Sequence, residues 1–420
     1  MKIRNKRQKQ SGTTIITVLS IVAFLLVGSI STAVAGPREQ AKRMHDRLVG
    51  VPPTEAALTE MTNRIQSGDA VGAGLYAITP PADRNAPNTS TENTRAPYFY
   101  NVTLKNFITP WTNEEQTVFA PLNDYTATVI GIIRDGKDFR QILTGDEVYV
   151  GTTPYSRTDN DHYEALEANN VDLSDSANLF PVTQASLGMA GSSTSDSAGV
   201  MTTRAAGKAF FKAGTNRAML RFTLMNHMCR DLEQVNDITG IPDRIRQDVS
   251  RSPGGDSSLF LNSCIGCHAG MDPLAGAFAY YEWVENEDGS TGQVTYSGDP
   301  SIGAFVQPKY HINRGNFEHG YVTRDNSWEN YWRKGPNRNL GWKSGLTGKG
   351  NGAKSLGEEF ANSEAFAQCQ VEKVYRHVCL QDPISNHNAD IEQITTDFKG
   401  SYNYDLKQVF AKTATLCMGE

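Results

Sequence analysis

Apolar side chains recur at intervals of three and four along several stretches of the chain, separated by polar or glycine-rich runs. After Pro52-Pro53-Thr54-Glu55, the residues Leu58, Met61 and Ile65 keep that interval up to Ser67-Gly68, which predicts a helix with one face on a core. Val129, Ile132, Ile133, Phe139 and Ile142 predict helix over 124–143, and Gly136 divides it into two short pieces. A third run opens at Met201-Thr202-Thr203-Arg204 and carries Phe210, Phe211, Met219, Leu220, Phe222, Leu224, Met225 and Met228, with Gly214-Thr215-Asn216-Arg217 as a cap or an interruption. The last run is the most regular. Ser355-x-x-Glu358 reads as a capping box, Phe360, Phe366, Val371, Val374, Tyr375 and Val378 carry a helix to Cys379, Asp390 starts another, and Leu406, Val409, Phe410, Thr413 and Leu416 mark the final one.

The intervening stretches lack that period. Residues 80–97 read as a loop, 98–122 as an aromatic segment containing Pro110-Trp111, and 151–200 as polar and small, with Gly191-Ser192-Ser193-Thr194-Ser195-Asp196-Ser197 a solvated excursion. Residues 284–352 combine Gly, Asn and Asp with Trp328, Trp332 and Trp342. They predict long loops packed by their own aromatics, either closing over a site or forming a small separate core. The fold class that follows is mainly α, with helical modules and long loops.

The N-terminus changes the picture of where the protein works. Lys2, Arg4, Lys6, Arg7 and Lys9 precede an apolar run from Thr13 to Ile30 and the small-x-small sequence Ala33-Val34-Ala35, so residues 1–35 read as a secretory signal peptide cut after Ala35. An uncleaved anchor is the alternative, since the run approaches the roughly 20 residues that span a bilayer. Cleavage removes five basic residues and no acidic one, taking the formal charge from −6 to −11. An acidic surface argues against nucleic acid or anionic membrane as partner and suits a basic partner protein. The 385 residues after Ala35 divide on this reading into a helical and loop-rich region, 36–198, a central region with a loop-rich insertion, 199–352, and a helical bundle, 353–420.

Candidate chemistry is concentrated in Asn262-Ser263-Cys264-Ile265-Gly266-Cys267-His268-Ala269-Gly270-Met271-Asp272-Pro273-Leu274. Cys-x-x-Cys-His is the spacing that attaches haem c: Cys264 and Cys267 add to the two vinyl groups as thioethers, and His268 reaches the iron as its proximal ligand. Zinc would need a second ligand pair, and no other close Cys or Cys-His dyad is present. A thioredoxin-like site expects a preceding strand, where this chain has Arg251-Ser252-Pro253-Gly254-Gly255. Asp272 and Pro273 read as the start of a following helix through Leu274, Phe278, Tyr281 and Trp283. Four further thiols, Cys229, Cys369, Cys379 and Cys417, allow two disulfides in an oxidising compartment, with three possible pairings.

Gly199-Val200-Met201-Thr202-Thr203-Arg204, Gly214-Thr215-Asn216-Arg217, Met228-Cys229-Arg230 and Cys264 through Leu274 resemble, in that order, the landmarks of the planctomycete-type cytochrome c family, and 356–416 is similar to that family's helical C-terminal module. The resemblance covers the chain from about Tyr98 onward, and only the haem stretch is specific. The chain departs from the family in lacking a proline run after Cys229 and in the long insertion between Ala277 and Lys354. The resemblance implies an exported haem protein and does not imply a substrate.

What the haem does depends on the sixth iron position. No methionine lies between Met271 and Met418, and Met271 is three residues from His268, on the same side of the ring. His311 in the insertion is the candidate distal ligand, with His319, His227, Met225, Met228 or no protein ligand as the alternatives. The expected function is a periplasmic or secreted monohaem electron carrier serving a redox partner protein. A haem oxidoreductase or peroxidase-like enzyme with an open distal site, or a structural haem module of an envelope assembly, are the other readings.

Overall fold

A computed structural model of the chain describes residues 35–80, 95–189, 196–212, 214–287, 289 and 291–419. The signal-peptide run and most of the Gly191–Ser197 excursion lie outside them. The structure is mainly α, 53 % helix and 7 % strand, the strands forming only two-stranded antiparallel pairs. Among the described residues no helix is long and apolar enough to cross a membrane.

Three helices open the fold: α1, Pro37–Val49, which the periodicity reading does not include; α2, Glu55–Gln66; and α3, Ala70–Ile78. Thr54 caps α2 by accepting from the Ala57 N–H. Next come α4, Asp124–Arg134, buried at every residue, and α5, Asp161–Ala168, with β1, Glu147–Val150, paired to β2, Phe180–Thr183. Gly136, at φ 61°, ends α4 as expected. Within the polar stretch 151–200, His162, Tyr163, Leu166 and Leu179 are buried. The third apolar run is interrupted as its sequence allows, into α6, Arg204–Phe210, and α7, Arg217–Met228.

The segment bearing the two thiols and the imidazole is α8, Ile265–Ala275, continuous with a wider π-helical turn over Phe260–Cys264. Two expectations are corrected here. Pro273 lies inside α8 rather than opening a new helix, and Tyr281 and Trp283 lie on β3, Tyr281–Glu285, which pairs with β4, Gly292–Tyr296. Asp272 does not cap: it lies inside α8, with its carboxylate against Arg217 and the buried Arg246.

Beyond β5, Ser327–Glu329, and β6, Lys349–Asn351, the C-terminal part comprises α9, Gly352–Ala361; α10, Glu364–Cys379; α11, Asn388–Lys399; and α12, Leu406–Leu416. The capping box is also corrected. Ser355 sits inside α9, its hydroxyl donating to the Asn351 carbonyl at 2.7 Å and accepting from Trp328 Nε1 at 2.8 Å. The cap that operates is Ser363, which accepts from the Phe366 N–H and starts α10.

Most of these elements share one core. The main buried apolar cluster runs from Ala41 to Ala414 and draws on all three regions read from the sequence; Ile245, Val249 and Phe260, with Cys264 and Ile265 against them, and Ala279, Val306 and Tyr310 form two small clusters beside it. Gly74 of α3 lies so close to α12 that a Cβ would stand 3.1 Å from Ala411 Cα, and Arg47 of α1 donates to the Val378 carbonyl of α10 at 2.9 Å. Two of the insertion's tryptophans, Trp328 and Trp332, join the main core too, together with Leu340. Arg333 clamps the insertion to α9 through both oxygens of the buried Glu359 carboxylate, each at 2.7 Å.

Candidate functional site

At about 100° per residue, Cys264, Cys267 and His268 share one side of a helix, and Gly266 and Gly270 fall on the other. The structure uses both sides. A Cβ at Gly266 would stand 1.8 Å from Asn236 Oδ1, and one at Gly270 would stand 2.0 Å from Trp332 Nε1, so the glycine side is pressed against the 231–241 loop and the insertion. Cys264 and Cys267 are partly exposed on the opposite side, and the His268 side chain is 21 % exposed.

All six cysteines find a place. Cys229 pairs with Cys369 and Cys379 with Cys417, with Cα atoms 5.3 and 5.4 Å apart, and only Cys264 and Cys267 remain free. Burial pushes the Cys267 thiol up, helped by Glu233 and Asp231 nearby, and its sulfur faces the Leu232 carbonyl. Neighbouring aliphatic groups are unusually open: Leu259 is 46 % exposed, Leu261 56 %, Ile238 63 % and Ile241 64 %. Leu261, Cys264 and His268 follow one another at helical spacing, so Leu261 fringes the thiol-bearing side, whereas Ile238 packs over Gly266 on the glycine side.

Behind His268 lies a closed polar network. Its Nδ1 is 3.1 Å from Oδ1 of Asp272, one turn on, whose side chain is wholly buried. Arg217 forks onto that carboxylate through Nε (2.7 Å) and Nη2 (3.1 Å), and onto Asp248 at 2.7 and 3.0 Å. Buried Arg246 donates from Nη2 to the Asp272 carbonyl at 2.9 Å and from Nε to the Thr323 hydroxyl at 3.0 Å, and lies over the Tyr310 ring. Two guanidiniums thus face two carboxylates. Burial alone would raise the Asp272 carboxyl, but Arg217, the His268 hydrogen bond and Arg246 outweigh it and hold the group well below the usual carboxylate range. An ionised carboxylate only accepts, so Nδ1 of His268 carries a hydrogen, and Nε2 is the nitrogen left for a ligand when the imidazole is neutral.

This arrangement fits a covalent haem: two unpaired thiols and an imidazole on one side, the imidazole's second nitrogen anchored as metal-bound histidines require, and the open Leu261 on the same side. Among the described residues no three His, Cys, Asp or Glu side chains converge as a ligand set for a metal ion, which leaves a zinc reading of the thiol pair without its second ligand pair.

The distal candidates are scattered. His311 Nε2 bonds the Thr323 carbonyl at 2.8 Å, which ties it through Thr323 and Arg246 to the Asp272 network on the Nδ1 side of His268. His319 is exposed beside Phe317. His227 is buried against Trp111, its Nε2 bonded to the Tyr125 hydroxyl at 2.9 Å, and burial followed by Lys373 pushes its pKa well down. Met228 is buried in the main core, and Met225 lines a cavity of about 460 Å³ with Trp111 and Lys373. Larger cavities of about 510 and 630 Å³ are lined by no residue of the 257–275 segment.

The sequence reading located Cys264, Cys267 and His268 and missed Asp272 as their partner, together with Arg217, Arg246 and Asp248. The His268-to-Asp272 spacing of four was a usable signal. Nothing in the sequence marked the two arginines. Comparison with family models, with curated proteins and with solved structures finds no match for this chain. The likeness to the planctomycete-type cytochromes therefore rests on its motifs.

Proposed function

We propose that this chain is an exported c-type cytochrome carrying one haem, bound through thioethers at Cys264 and Cys267 with His268 Nε2 as proximal iron ligand, and that it exchanges electrons with a partner protein. The observation that carries the reading is the partition of the cysteines: four close two disulfides, and the two left free stand beside the one imidazole whose Nδ1 is held by a buried carboxylate. The disulfides also support an oxidising compartment, and with it the export read from the N-terminus.

Bound haem supplies one-electron chemistry at its iron. The chain's own groups do the rest. Asp272 fixes the tautomer of His268, and the glycine side of α8 anchors the helix so that thiols and imidazole keep one orientation. Glu233 is exposed near Cys267, while Asp231 beside it is paired with Arg221; together with the acidic balance of the chain, this favours a basic partner and a rate of association that falls with salt.

The position of His311 favours a second reading at the sixth site. It is linked to the network on the Nδ1 side of His268, and Nε2 would have to leave the Thr323 carbonyl before it could ligate iron. An open distal position, as in a haem oxidoreductase or peroxidase-like enzyme, needs no such exchange. The test is the optical spectrum of protein produced in a host with haem c maturation. Haem c bands in wild type, with the native ligand signature lost in His268→Ala while the covalent adduct persists, support the proposal. An unchanged His268→Ala spectrum removes that residue from the site. Rapid cyanide uptake identifies an open distal position, and slow uptake abolished as a barrier by His311→Ala identifies His311 as the sixth ligand.

A further inference from the structure

We propose that Asp272 is a positioning residue for the iron: by accepting the Nδ1–H of His268 it aims Nε2 at the haem and makes the imidazole a stronger donor, which stabilises the ferric state and lowers the reduction potential. The inference rests on the haem reading above and says what kind of haem it is.

The geometry separates this contact from an ordinary helical pair. His268 and Asp272 are four residues apart on one helix, the 3.1 Å contact needs no loop to hold it, and the carboxylate is wholly buried. A hydrogen bond to an ionised acceptor is roughly twice as strong as one to a neutral carbonyl, and burial leaves little water to screen it. Electron density pushed toward Nδ1–H passes through the ring to Nε2. It binds the more positive iron more tightly, so oxidised protein gains more than reduced protein.

The arginines keep this arrangement from collapsing into proton transfer. Arg217 is bonded to both Asp272 oxygens and both Asp248 oxygens, and Arg246 holds the Asp272 backbone carbonyl. Two positive charges against two negative ones leave the carboxylate no gain in taking the proton from the imidazole. Asp248 has a further consequence. It competes with Asp272 for Arg217, and so sets how much of the Asp272 charge is left for His268.

The test is spectroelectrochemistry of wild type, Asp272→Asn and Asp248→Asn, each first checked for covalent haem by intact mass. Removing the group that hydrogen-bonds a metal-ligating histidine costs about 10- to 100-fold in metal affinity. If the ferric state loses about tenfold more than the ferrous state in Asp272→Asn, the midpoint potential rises by about 59 mV, one tenfold step for one electron. Asp248→Asn leaves Asp272 in place and gives Arg217 to it alone, so the potential rises by a smaller step. This second variant decides the matter if Asp272→Asn fails to fold. Haem present and the potential unmoved in every variant that folds overturns the role of Asp272 and leaves the haem assignment standing. Wild type without a haem adduct overturns both.

Discussion

Gly270 sets how closely α8 can approach the insertion, because a Cβ there would meet Trp332 Nε1 at 2.0 Å and Trp332 is fixed in the main core. Gly270→Ala therefore forces the indole to shift or α8 to tilt, at about 1–3 kcal/mol, as overpacking costs. Urea unfolding of the variant should show that loss, and an unchanged midpoint would mean that Trp332 yields freely. At this scale the sequence was most legible where chemistry depends on chain spacing. Cys264, Cys267 and His268 stood out as candidates because thioether attachment and proximal ligation, as proposed, would need those residue types in that order. The arginines that hold Asp272 were not legible, because Arg217 and Arg246 lie 55 and 26 residues before it and nothing local marks a guanidinium that will pair with a buried carboxylate.

Helices with long apolar runs were readable, and their ends less so. Ser355 looked like a cap by pattern but spends its hydroxyl on Trp328 and Asn351, while Ser363, two residues after α9 ends, does the capping. The insertion was legible in part: Val306 and Tyr310 form a small separate cluster with Ala279, as one of the two readings had it, but local composition says that tryptophans will be buried and does not say against what. They bury against α8, α9 and the main core. The disulfides show what holds the elements together. Cys229, at the end of α7, and Cys369, within α10, close a span of 140 residues, whereas Cys379 and Cys417 close 38 within the C-terminal helices. Loop-closure entropy assigns about 5 kcal/mol to the first and about 4 to the second. The Cys229→Ser/Cys369→Ser double variant is expected to lose at least as much denaturant stability as Cys379→Ser/Cys417→Ser, and both should keep covalent haem. Loss of the adduct in either would make these thiols part of the attachment chemistry.

On the scale of the whole molecule, the first and last helices share one core, so acid acts on the fold through groups buried far from α8. Burial pushes His45 and His377 down from 6.5 to about 4. The unfolded chain therefore binds more protons between those values, and stability falls as pH drops from 6.5 through 4, by on the order of 3 kcal/mol for His45. Asp272 acts later. Its carboxyl is depressed, so its contribution is present above its ordinary 3.8 and is lost only in stronger acid. Urea midpoints at pH 7 and pH 4.5 check this, and His45→Gln should flatten the difference if the assignment holds. That N- and C-terminal helices pack together was beyond a reading by segments, because periodicity shows which face is apolar and not which partner it meets. The claim on which the rest depends is covalent attachment, and intact mass after acid acetone extraction tests it most directly. Protein from a haem c maturing host should retain the mass of one haem, and Cys264→Ala/Cys267→Ala should retain none. Wild type at the mass of the bare polypeptide, or an adduct that survives in the double variant, would contradict the account.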